Sequence, residues 1–116
     1  MDMSNEIGID VQYTTSKKIY VERINIQNNT ITVKIRFTAK VYINVSEKYS
    51  ELINDKELEY EREITRLIDI DNYDNAEKIM EKIYDDIAET EKRFTMRVQK
   101  LKEILKQLFN YSVKHE

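Results

Sequence analysis

Eight apolar residues of one parity, Ile31, Val33, Ile35, Phe37, Ala39, Val41, Ile43 and Val45, run without an error through the first half of the chain. The opposite parity carries Thr32, Lys34, Arg36, Thr38, Lys40, Tyr42 and Asn44. Only an extended strand, whose side chains alternate between two faces, separates these sets. One face is therefore expected to meet a core and the other to meet water. At ~3.3 Å per residue the run would span ~50 Å, well beyond the usual strand, so it is expected to bend or end early.

The residues on either side extend this pattern into a sheet. Ile7, Ile9, Val11 and Tyr13 alternate with polar residues, and Thr14 to Lys18 reads as a polar break. Ile19 and Val21 share one parity while Ile24 and Ile26 share the other, which predicts a bulge near Glu22–Arg23. Asn28-Asn29 supplies residues tolerant of positive φ for a tight primed hairpin turn. Ser46 to Lys56 is a polar connection with room for a helical turn. Residues 56–70 fit either a strand or a helix. The strand is preferred because Glu57, Glu59, Glu61 and Glu63 would form an acidic row facing Lys34, Arg36 and Lys40. In that strand Leu58, Tyr60, Ile64, Ile68 and Ile70 point inward, interrupted by Arg62 and Arg66.

From Asp74 onward the period changes to that of a helix. Asp74-Asn75-Ala76-Glu77 has the form of a capping box. Ile83, Phe94 and Leu105 are spaced by eleven residues, as are Ile87, Val98 and Phe109. Eleven residues per three turns describe a nearly straight helix rather than a left-handed supercoil. A helix over 74–113 would be ~60 Å long, so it must break, with Thr90–Thr95 as the candidate point, or project. The fold class expected is α+β. Residues 1–116 form a single domain, with an antiparallel meander of three or four strands over 1–70. One long, possibly once-broken C-terminal helix packs on that sheet.

Composition narrows function mainly by exclusion. One glycine cannot build a phosphate-cradling loop, and the absence of cysteine removes disulfides, thiolate metal sites and thiol nucleophiles. His115 is the only histidine and sits at the fraying end of the chain. The stretch Asp69 to Asn75 does not fit a calcium loop, because Asp74 and Met80 occupy the positions that need glycine and glutamate. Asp69 and Asp71 with Glu61 or Glu63 form a triple that any acid-rich chain offers. No catalytic, cofactor-binding or metal-binding residue is therefore assigned. No apolar run reaches membrane-spanning length, and Met1 to Gly8 lacks a secretory pattern. These features predict a cytoplasmic protein with no membrane partner.

Charge is segregated along the chain. Residues 48–91 hold 15 acids against 6 bases, an acidic patch, while residues 92–116 hold 7 bases against 2 acids. Much of this complements a helix dipole. The apolar stripe widens at its end, where Leu101, Ile104, Leu105, Leu108 and Phe109 crowd together. They mark a protein interface, so the leading expectation is a non-catalytic, homo-oligomeric interaction module, an adaptor or inhibitor of a larger machine. The alternative is a nucleic-acid-binding protein using Arg93, Arg97 and Lys100 on the helix or Lys34, Arg36 and Lys40 on the sheet. The negative net charge weighs against it.

Overall fold

The computed structural model describes residues 8–114, so Ile7 and His115 lie outside the described residues. Three antiparallel strands in the order β1-β2-β3 are followed by one helix. They are β1 (Ile9–Asn25), β2 (Thr30–Val45), β3 (Glu57–Asp69) and α1 (Tyr73–Lys114), with a 3₁₀ turn at Glu47–Leu52 in the polar connection.

The alternating run forms β2, which keeps its full 16 residues instead of ending early. It can do so because it is the central strand. It is flanked by β1 of 17 residues and β3 of 13, and α1 lies along its inner face. Val33, Ile35, Phe37, Ala39, Val41 and Ile43 are all buried there.

The polar stretch Thr14–Lys18 does not break β1, which pairs with β2 continuously from Ile9 to Val21. A polar stretch can remain strand because its backbone bonds to β2 do not depend on its side chains. The register shift falls between Val21 and Arg23, at the expected bulge. The hairpin differs in detail. A four-residue loop, Ile26 to Asn29, replaces the two-residue primed turn, with the Asn29 N–H donating to the Ile26 carbonyl at 3.2 Å. Asn29 alone carries positive φ (57°) among the described non-glycine residues. The Asn25 side chain accepts the Asn28 N–H at 3.0 Å and holds the rest of the turn.

Strand wins in the ambiguous segment. On β3, Leu58, Tyr60, Ile64 and Ile68 face inward opposite Val41, Ala39, Ile35 and Ile31. Ile70 lies past the strand end and is exposed. The two inward arginines remain half-buried. Arg66 is satisfied by Asp86 on α1, with Nε and Nη2 at 2.8 and 2.7 Å from Oδ2.

Helix α1 is a single unbroken element of 42 residues. Thr90, the candidate breakpoint, is only 2% exposed. Its hydroxyl donates back to the Asp86 carbonyl at 2.8 Å, so it is buried without disturbing the helix. The helix starts earlier than the capping box at Asp74 implies. Asn72 is the cap, its side chain accepting the Asn75 N–H at 3.0 Å and its carbonyl accepting the Ala76 N–H at 3.1 Å. Both eleven-residue series face the sheet: Ile83, Phe94, Val98 and Phe109 are buried, and Ile87 and Leu105 half-buried.

Because neither strands nor helix are cut short, the molecule is long. Its extents are 67 × 25 × 18 Å and its radius of gyration is 21.1 Å, against ~13 Å for a compact chain of this length. Its accessible surface of 8884 Å² exceeds the ~6,700 Å² expected of a compact monomer of this mass.

Candidate functional site

The helix does not lie squarely over the sheet. Asp86 is tied to Arg66 on β3. One turn later Glu91 is paired with Lys17 on β1. Further along, Thr95 Oγ1 is 3.5 Å from the Tyr13 hydroxyl, and Lys102 Nζ is 3.6 Å from Asp10, both on β1. The helix therefore crosses from the β3 side to the β1 side as it runs toward the far end of the sheet.

Two core clusters follow from this path. Ile83 packs with Val33, Ile35 and Ile68 at one end. Phe94, Val98 and Phe109 pack with Phe37, Val41, Ile43, Ile9 and Val11 at the other. Phe94 makes edge-on ring contacts with Tyr13 and Phe37, at 5.3 and 5.6 Å between centroids. It also stands 5.3 Å from Tyr60, so one ring joins all three strands to the helix.

Two opposite corners of the inner face are left less covered. On β1, Ile19, Val21 and Ile24 are exposed (47%, 55% and 62%) although they share the face of the buried Ile9 and Val11. On the β3 side, an open groove of about 270 Å³ runs between Leu58 and Tyr60 of the strand and Phe94, Arg97, Val98 and Leu101 of the helix.

The five apolar residues at the helix end divide between these environments. Phe109 is buried, and Leu101 and Leu105 are half-buried against the same core. Ile104 and Leu108 remain 53% and 55% exposed. Their pattern signals an apolar face but does not reveal how much of it the chain's own sheet occupies.

The six basic residues are not brought together. Lys34, Arg36 and Lys40 project from the outer face of the sheet, whereas Arg93, Arg97 and Lys100 are on the helix that packs on the inner face. Two of the three bases face the glutamate row as the charge pattern anticipates, Lys40 in register with Glu59 and Arg36 with Glu63, whereas Lys34 stands opposite Thr65. Arg36 makes its ion pair diagonally, to Glu61 at 2.6 Å, and Lys34 bonds Glu22 at 3.0 Å. Arg93 is paired with Glu89 at 2.9 Å.

These bonds shift the groups that make them. Hydrogen bonding to Glu22 raises Lys34 above the usual lysine value, and bonding to Glu61 does the same for Arg36. Tyr20 is raised chiefly by donating its hydroxyl to Glu63 at 3.0 Å. In each case the protonated form is the one the fold prefers.

A shallow outer-face depression of about 400 Å³ lies where Thr14, Ser16 and Thr38 replace longer side chains, rimmed by Lys40, Glu59 and Glu61. Asp69 is engaged locally, its Oδ1 accepting the Asp71 N–H at 3.0 Å. Glu63 lies six strand residues away, about 20 Å. Among the described residues, no three acidic, histidine or cysteine side chains gather as metal ligands, and no helix is long and apolar enough to cross a membrane. No protein-family model, curated protein or solved structure matches this chain.

Proposed function

We propose that this chain is a non-catalytic cytoplasmic interaction module that self-associates and serves as an adaptor or inhibitor of a larger macromolecular machine. The observation that carries this reading is the apolar surface on either side of the diagonal helix: Ile19, Val21 and Ile24 on β1, and Ile104 and Leu108 on α1. The excess over a compact monomer, roughly 2,000 Å², is more than the ~800 Å² per partner of a standard protein interface. Ile104 and Leu108, backed by Leu101, Leu105 and Phe109, are the proposed contact for the foreign partner.

The nucleic-acid reading draws less support. Its sheet residues stand among Glu22, Glu59, Glu61 and Glu63, which offset the charge that phosphates would meet.

Light scattering behind size exclusion, at low and at high salt, tests the self-association. The expected result is a mass of at least twice 14.0 kDa, unchanged by salt because apolar contact carries it. A 14.0 kDa monomer in both buffers would overturn the reading.

A further inference from the structure

We infer that the self-association is a two-fold pairing of β1 with β1 of a second copy, which joins two sheets into one of six strands. This rests on the self-association proposed above and adds its site and register.

The two sheet edges, β1 and β3, differ in whether they can pair with themselves. In an antiparallel pair about a two-fold axis, residue i meets residue 2c − i, where c is the residue on the axis. On β3, every axis position from 57 to 66 sets acid against acid across the outer face, through Glu57, Glu59, Glu61, Glu63 or Asp69. Like charges directly opposite are destabilising, so this edge repels its own copy.

Strand β1 has an axis position free of that conflict. With Thr15 on the axis, inner-face pairs are Ile9 with Val21, Val11 with Ile19, Tyr13 with Lys17, and Thr15 with itself. Outer-face pairs are Asp10 with Tyr20, Gln12 with Lys18, and Thr14 with Ser16. No like charges meet, and each apolar pair joins a buried residue to an exposed one. An axis at Lys17 or Lys18 would oppose two lysines, and one at Thr14 would set Val11 against Lys17.

The Thr15 register also ends where regular pairing ends. It spans Ile9 to Val21, and the bulge follows Val21. The small residues Thr14, Thr15 and Ser16 sit at the axis, where each lies nearest to its own copy. Thirteen residues per strand supply roughly a dozen backbone hydrogen bonds.

The diagonal helix gives this pairing a second role. Both helices would lie on the same face of the joined sheet. Each C-terminal half covers the start of its own β1, where Ile9 and Val11 share a core with Phe109. In the dimer that start adjoins the other copy's Ile19 and Val21. Each copy's covered corner is thus placed beside the other's open one, while Ile104 and Leu108, on the other flank of the helix, stay available to a different protein.

The test uses the natural absence of cysteine. In Thr15→Cys the two thiols face each other across the axis, at the ~4.5–5.5 Å Cα separation of opposed strand residues, within disulfide range. Mild oxidation is expected to yield a covalent dimer, whereas Thr65→Cys on β3 should remain uncrosslinked. A mixture of Ile9→Cys and Val21→Cys chains should give the heterodimer in preference to either homodimer. Ile19→Lys combined with Val21→Lys should reduce the mass to 14.0 kDa with an unchanged circular dichroism spectrum.

The inference is overturned if a wild-type dimer survives those two lysines and is instead lost in Ile104→Asp with Leu108→Asp. Self-association would then stand at a different surface. A salt-sensitive ladder of larger species crosslinked by a β1–β3 cysteine pair would also overturn it, in favour of head-to-tail growth. A wild-type monomer would remove this inference and the self-association reading together.

Discussion

Ile9 and Val11 stand on the same face of the same strand as Ile19 and Val21, yet the first pair is 7% and 9% exposed and the second 47% and 55%. Side-chain type and alternation are alike at the two ends of β1, so they do not set the difference. It comes from the helix, which meets the β1 side only from Glu91 onward and leaves the later part of the strand open. Local pattern fixes the face a side chain points to, and a distant element fixes whether that face meets protein or water.

The sharpest way to break this comparison is to place one charge at each end. Val11→Asp puts an unpaired carboxylate in the core and is expected to cost more than about 3 kcal/mol in urea unfolding. If Val11→Asp is as mild as Val21→Asp in dilute monomer, the two ends of β1 are not different environments. Phe94→Ala belongs with the large effects, since its ring contacts span all three strands, and about 3–5 kcal/mol is expected.

A moderate effect is expected where the helix begins its crossing. Asp86→Ala leaves Arg66 half-buried without its partner and should cost about 1–3 kcal/mol. Replacing both Arg66 and Asp86 with leucine should recover most of it. A double variant no more stable than Asp86→Ala would mean that the pair is not what anchors the helix on this side.

Val21→Asp should change the stability of dilute monomer by no more than about 0.5 kcal/mol, its main effect falling on association. The outer face gives the smallest effect, and its sign is fixed by the raised Tyr20 and Lys34. Both favour the protonated form in the fold, so their contribution is fully present below about pH 10 and is lost as pH rises through the folded values. A slight fall in melting temperature above that pH is expected, partly flattened in Tyr20→Phe. A rise in stability there would contradict the assigned bonds.

Much of the fold was legible because it depends on neighbours in sequence. The alternation of β2, the parity slip that becomes the bulge and the eleven-residue stripe of α1 all appear in the fold, and the glutamate row of β3 faces Arg36 and Lys40, though not Lys34, which turns to Glu22 on β1. The misreadings depend on distant contacts. Thr14–Lys18 reads as a break until β2 is seen to hold its backbone, and Thr90 reads as a break until the helix is seen to bury it. Asn72 displaces Asp74 as the cap because the chain turns sooner after β3. At the helix end, Phe109 and Leu108 are equally apolar in sequence, and only the sheet decides that one is buried and the other exposed. Ile19 and Val21 were visible as strand residues, but their exposure has no local signal.

The open half of β1 is either shared between copies or left to solvent. Amide hydrogen exchange, followed by NMR from dilute to concentrated protein, addresses this directly. The expected result is that alternate amides between Ile9 and Val21, those pointing away from β2, gain protection with concentration while β3 edge amides do not. Rapid exchange of those β1 amides at every concentration would contradict the account.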